Sequence, residues 1–120
     1  MKTRIEAVDF CLTFNNAFED HPFRDDNWTL MRHKENRKSF ATIYERQGRI
    51  WINVKLIPEA AYFYRSAFAS VIPAYHMNKE HWSSIILDGS VPENEIKQMI
   101  SESYELTLPM IKKRKQYAKS

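Results

Sequence analysis

Apolar residues recur every three or four positions at the start of the chain: Ile5, Val8, Cys11 and Leu12, with Phe14 and Phe18 beyond. That spacing predicts an amphipathic helix. Thr3-Arg4-Ile5-Glu6 has the form of a capping box, so the helix should start near residue 4, and Asn15-Asn16 should end it. An acidic loop follows, Glu19-Asp20-His21-Pro22-Phe23-Arg24-Asp25-Asp26, whose proline excludes a regular helix. The pattern then turns to strands. Trp28 to His33, Ser39 to Glu45 and Ile50 to Leu56 are rich in aromatic and β-branched residues. The third alternates, with Ile50, Ile52, Val54 and Leu56 on one face and Trp51, Asn53 and Lys55 on the other, so one face should pack on helices and the other be more polar. Short basic connections, Lys34 to Lys38 and Arg46-Gln47-Gly48, read as hairpin tips.

Pro58-Glu59 opens a second helix through about Ala69, with Ala60, Phe63, Tyr64 and Ala67 able to face inward. Val71 to Tyr75 is short and extended, and Pro73 points to an edge. In the next stretch, His76 to Ser90, Asn78 can cap one helical turn. Trp82 to Leu87 is a strand with an apolar end, and Asp88-Gly89 is a turn. Ser90-Val91-Pro92-Glu93 has the form of a second capping box, opening a helix from Val91 to about Leu106. Ile96, Met99, Ile100, Ser103 and Tyr104 give its buried face, and Pro109 should break it before a last short turn at Met110 and Ile111. The order α-βββ-α-ββ-α predicts a single α+β domain over residues 1–120, an antiparallel sheet with helices packed on one face.

Composition narrows the class. A chain of 120 residues that is 43% hydrophobic and carries three Trp, six Tyr and seven Phe has enough apolar surface for one core. One cysteine, Cys11, excludes an intrachain disulfide and fits a reducing cytoplasm; its expected place is a buried helix face. No apolar run approaches the roughly 20 residues of a membrane span. The net charge is +3 but uneven: Arg32, Lys34, Arg37, Lys38, Arg46 and Arg49 cluster about the hairpins, and the tail at about 112–120 carries Lys112, Lys113, Arg114, Lys115 and Lys119 without an acid.

Pro73-Ala74-Tyr75-His76-Met77-Asn78-Lys79-Glu80-His81-Trp82, then Leu87-Asp88-Gly89-Ser90-Val91-Pro92 and Ser103-Tyr104, resemble the MmcQ/YjbR family of small bacterial proteins in order and spacing. The resemblance extends upstream to Glu19-Asp20-His21-Pro22-Phe23, Trp28, Phe40-Ala41 and Val54-Lys55-Leu56. It implies a CyaY-like fold with a double-wing arrangement of β-hairpins and a predicted DNA-binding role. The CyaY-like fold also hosts iron-handling proteins, but the first helix here carries only Glu6 and Asp9, too few for an acidic ridge.

Candidate chemistry is sparse. His76 and His81 are five residues apart, not the helical spacing of a metal pair, so neither a metal nor another cofactor is expected. Two glycines leave no phosphate-binding loop and there is no Gly-x-Ser-x-Gly elbow, so no catalytic residue is assigned and an enzyme is not expected. The expectation is a monomeric, cytoplasmic, non-membrane protein that holds double-stranded DNA by its phosphates through Arg32, Lys34, Arg37, Lys38, Arg46 and Arg49 on two wings. Asn36 or Gln47 would reach a groove, Lys79 would add a phosphate contact, and Tyr44, Trp51 and Tyr75 could offer stacking surface if exposed. The alternative is a small-ligand or protein-interaction module with a pocket beside His76, Asn78, Lys79, His81, Trp82 and Asp88, although local turn stabilisation accounts for the same residues and Trp82 also suits the core.

Overall fold

The computed structural model describes residues 1–110; the basic tail from Lys112 and Ile111 of the expected last turn lie outside the described residues. The element order is α1 (Arg4–Cys11), β1 (Ala17–Asp20), β2 (Thr29–His33), β3 (Ser39–Arg46), β4 (Arg49–Lys55), α2 (Pro58–Ala67), β5 (Val71–Pro73), β6 (Trp82–Ile86) and α3 (Glu93–Leu106). The strands form one antiparallel sheet of six, in the order β1-β2-β3-β4-β6-β5. It is a single α+β domain with α1 and α3 lying across the central strands. On that side α2 is tied in as well, because Tyr64 Oη donates to Glu102 on α3 and Arg65 Nε donates to Ser83.

The core fills the space between sheet and helices. Met31, Phe40, Ile43, Ile52, Leu56, Ile85 and Leu87 from the sheet side meet Met99 and Ile100 from α3, all essentially inaccessible to solvent. Cys11 is buried among them, and burial pushes its thiol up to about 12, so it behaves as a small hydrophobe. Ser103 couples α3 to the sheet. A bulge in β3 skips Phe40 in the pairing with β2, and Ser103 Oγ donates to the freed Phe40 carbonyl at 2.6 Å while accepting the Lys55 N–H at 2.8 Å.

Thr3 caps α1 in a complete capping box, as its sequence predicts. Four expectations are corrected. The acidic loop begins later than its composition suggests, because Ala17–Asp20 pairs with β2 as an edge strand; its half-exposed residues carry no alternation to read. Helix α1 stops at Cys11, and Phe14 leaves the helical path to stack on Tyr104 of α3 at 4.6 Å. Ser90 does not cap α3: Pro92 occupies the cap position without a side-chain hydrogen bond, and Ser90 turns back on Asp88 while Glu93 pairs with the chain's amino terminus at 2.9 Å. On α2 the buried side chains are Ala61 and Tyr64, whereas Phe63 is exposed, because α2 packs chiefly along the narrow β5 edge. No helix among the described residues is long and apolar enough to cross a membrane.

Candidate functional site

The sheet face away from the helices is where side chains converge on open space. Directly opposed residues of antiparallel strands share a face, so the register Leu30–Thr42–Asn53–Ser84 forms one row across four strands. The next row, toward the β3–β4 turn, pairs Tyr44 with Trp51. Trp28 stacks on Tyr44 with ring centroids 4.6 Å apart, and Tyr44 meets Trp51 at 6.0 Å. Tyr44 and Trp51 are therefore buried although no helix among the described residues lines this space.

Two loops from opposite edges of the sheet overhang these rows. The β1–β2 loop contributes Phe23 and Asp25, and the β5–β6 loop contributes Tyr75, His76 and Met77. Together with Arg46 they enclose a trough of about 440 Å³, within the range of small-molecule sites. Its walls are aromatic and its floor is polar. Asn53 occupies the floor: its Oδ1 accepts from Tyr44 Oη at 3.0 Å and Ser84 Oγ at 2.6 Å, while among the described residues its Nδ2 has only the Met77 thioether, at 3.8 Å. The Arg46 guanidinium lies over the Trp51 ring at 5.2 Å, and the Trp51 indole N–H donates to the Arg46 carbonyl at 3.1 Å.

Both overhangs are anchored from below. Asn27 pairs its side-chain amide with both backbone groups of Glu45, at 2.8 and 3.0 Å. Arg4 of α1 reaches beneath the same loop to the Asn27 carbonyl and side chain, Thr29 Oγ1 and the Ile43 carbonyl, at 2.7, 2.9, 3.1 and 3.1 Å. On the other side Asn78 turns the chain, its Oδ1 accepting the Glu80 N–H and its carbonyl the His81 and Trp82 N–H groups. Arg65 fixes the base of this turn through the Lys79 and Trp82 carbonyls at 2.5 and 2.8 Å.

The family model YjbR matches residues 12–106. The chain belongs to the YjbR family. YjbR of Escherichia coli K12 is 31% identical over 110 residues, covering 92% of this chain and 91% of that protein. YyaQ of Bacillus subtilis is 35% identical over 99 residues, 73% of this chain and 83% of that one. Crystal structures of proteins from Deinococcus radiodurans (TM-score 0.82, 27% identity, 96% of this chain and 88% of that one) and Pseudomonas syringae (0.77, 29%, 88% and 99%) share the fold.

The YjbR-like motif separates on the structure into two parts. Tyr75 to Trp82 builds the loop that overhangs the trough, but of the motif residues singled out as a pocket only His76 lines it. Lys79 lies outside, its ammonium 5.5 Å from the Tyr75 ring centroid. His81 uses its backbone, its carbonyl accepting the Leu56 N–H at 2.7 Å, and Trp82 is half-buried beyond the lining. Asp88 is at the other end of β6, roughly 20 Å along the strand. There it accepts from the Ser70 and Ser90 hydroxyls and the Ser90 N–H, which hold its carboxyl down at about 2. The two halves of the motif thus serve different ends of one strand.

The basic residues also divide. The tips that would be wings of the YjbR domain stand at opposite ends of β3, roughly 24 Å apart. The Lys34 to Lys38 tip is docked: Asn36 Nδ2 donates to the Thr107 carbonyl at 2.9 Å and Asn16 Nδ2 donates to Glu35 at 3.1 Å. Asn36 is thereby committed within the fold and is not aimed at a groove. Arg32 is half-buried with its Nε 2.8 Å from Asp20 Oδ2, and it donates to the Arg37 carbonyl at 2.7 Å. Arg37 itself lies over Phe18 at 5.3 Å. Lys34, Arg37, Lys38, Arg46 and Arg49 remain exposed. The second tip is a two-residue turn with Gln47 and Gly48 both at positive φ, 52° and 74°. Among the described residues no three His, Cys, Asp or Glu side chains are placed to hold a metal ion.

Tyr44, Trp51, Tyr75 and His76 were singled out from the sequence and line the trough, but its floor was missed because it comes from four strands. The available signal was the alternate face of β4, where Trp51 and Asn53 stand one row apart.

Proposed function

We propose that this YjbR-family protein is a binding domain for a small organic ligand and that the trough on the sheet face away from α1 and α3 is its site. One observation carries this reading: an aromatic-walled space of about 440 Å³ has an amide donor, Asn53 Nδ2, at its floor with only a thioether for a partner among the described residues. Apolar walls supply affinity and one placed polar group supplies orientation. Binding is favoured over catalysis because the nearby hydroxyls of Tyr44 and Ser84 both donate to Asn53, so neither is held by a base as a nucleophile.

A second reading keeps the role that the family resemblance implies, binding duplex DNA. The exposure of Lys34, Arg37, Lys38, Arg46 and Arg49 supports it. With the tips at opposite ends of β3, such binding would lay the duplex along the sheet and be strongly salt-dependent.

Backbone amide NMR of the full chain distinguishes the two. On addition of a fragment library, shifts gathered at residues 42–44, 51–53, 75–77 and 84 are expected. Fragment shifts elsewhere, or none, together with duplex-induced shifts at both tips that fade as salt rises, would replace the ligand reading with the DNA one.

A further inference from the structure

The polar atoms of the trough restrict what can occupy it. Resting on the ligand-binding reading above, we propose that the occupant is a planar heteroaromatic anion: a ring system with a hydrogen-bond acceptor turned to Asn53 and one anionic group turned to Arg46.

The ring follows from the walls. Phe23 and Tyr75 are more than half exposed yet overhang the trough from opposite loops, and Trp51 and Tyr44 stand between them. Aromatic faces left uncovered on two sides favour a flat partner that stacks.

The acceptor follows from Asn53. Its carbonyl oxygen already takes two hydroxyl hydrogen bonds, which fixes the amide so that Nδ2 faces Met77. A thioether is a weak acceptor. The floor therefore offers one amide donor that lacks a strong acceptor, and a ring nitrogen or carbonyl oxygen of the ligand would supply it.

The anion follows from Arg46. Its guanidinium lies over the Trp51 ring, 5.2 Å from the centroid, and has no acidic partner within 4.0 Å among the described residues. A guanidinium over an aromatic ring still presents its planar fork of donors to a carboxylate or phosphate. The other charge on the lining, Asp25, directs Oδ1 at the Asn27 N–H of its own loop, at 2.9 Å. Because the guanidinium rests on Trp51, two residues from Asn53 along β4, acceptor and anion should be separated by roughly 7 Å. That is the span of a bicyclic ring with its substituents at opposite ends.

Three matched probes test the assignment by calorimetry on the full chain. Quinoline-6-carboxylate carries both features, 2-naphthoate lacks the ring acceptor, and 6-quinolinemethanol lacks the charge. The carboxylated quinoline is expected to bind about tenfold more tightly than either control. Arg46→Gln should remove the advantage over 6-quinolinemethanol while the advantage over 2-naphthoate persists. Equal binding of the three probes at the trough, unaffected by Arg46→Gln, would overturn the ligand class while leaving the site in place. Failure of all three to bind a protein with an intact melting transition would overturn both the class and the reading on which it rests.

Discussion

Ser84 Oγ donates to Asn53 Oδ1 across the β4–β6 pair at 2.6 Å, and the same oxygen accepts the Tyr44 hydroxyl from the other neighbouring strand at 3.0 Å. One amide on a central strand thus joins three strands on the face where no helix among the described residues braces them. Asn53→Ala leaves two part-buried hydroxyls without their acceptor and should lower stability by about 1–2 kcal/mol. Tyr44→Phe and Ser84→Ala should each cost less in the Asn53→Ala background than in the native protein. Urea unfolding of the double-mutant cycles measures this, and strict additivity would show that the hydroxyls act independently of the amide.

Arg4 supports the trough from the opposite side of the sheet edge. Its guanidinium donates to two carbonyls, one hydroxyl and one side-chain amide oxygen, binding α1, the β1–β2 loop and β3 together. Arg4→Met keeps much of the aliphatic stem and loses all four bonds. It should destabilise the domain by about 2–3 kcal/mol, because hydrogen bonds from a charged donor are the strong ones. It should also raise amide exchange selectively at residues 27–29 and 43–45. A uniform rise across the sheet would show that Arg4 contributes only to global stability.

The turn at the far end of β6 gives the fold a pH signature. The Ser70 and Ser90 hydroxyls hold Asp88 at about 2, against an ordinary 3.8. A carboxyl depressed in the folded state contributes stability that is fully present above the ordinary value and is lost as pH falls toward the folded one. Asp88→Asn retains one acceptor oxygen but no charge. Its deficit relative to the native protein should be constant above about pH 4 and shrink between about pH 4 and 2. Chemical denaturation at several pH values follows this, and a deficit that stays constant to pH 2 would remove Asp88 as the titrating group.

Local grammar was enough to read much of the fold. The Thr3 box, the strand alternation from Ile50 to Leu56 and the buried stripe Ile96-Met99-Ile100-Ser103-Tyr104 each depend on neighbours within a few residues, and each stands as read. The readings that failed depended on distant partners. Ser90 had the spacing of a cap, but Ser70 and Asp88 compete for the same hydroxyl. Phe14 had the spacing of a helix face, but Tyr104 draws its ring into the core. Phe63 looked like an inward residue, but the β5 edge is too short to cover it.

The same division governs the site. The chain by itself determined a YjbR-type α+β domain, its helices and its strands other than β1, and the face of β4 that carries Trp51 and Asn53. Those follow from periodicity, turn chemistry and the order of motif residues. Only the tertiary structure decided that Asn53 shares one floor with Thr42 and Ser84, that Phe23 and Tyr75 close over it from opposite edges, and that Asp88 stands apart from His76. A strand sends neighbouring residues to opposite faces and carries residues six apart roughly 20 Å away, while pairing brings residues from distant parts of the chain within about 5 Å. Sequence spacing therefore set the elements, and strand register set which side chains meet.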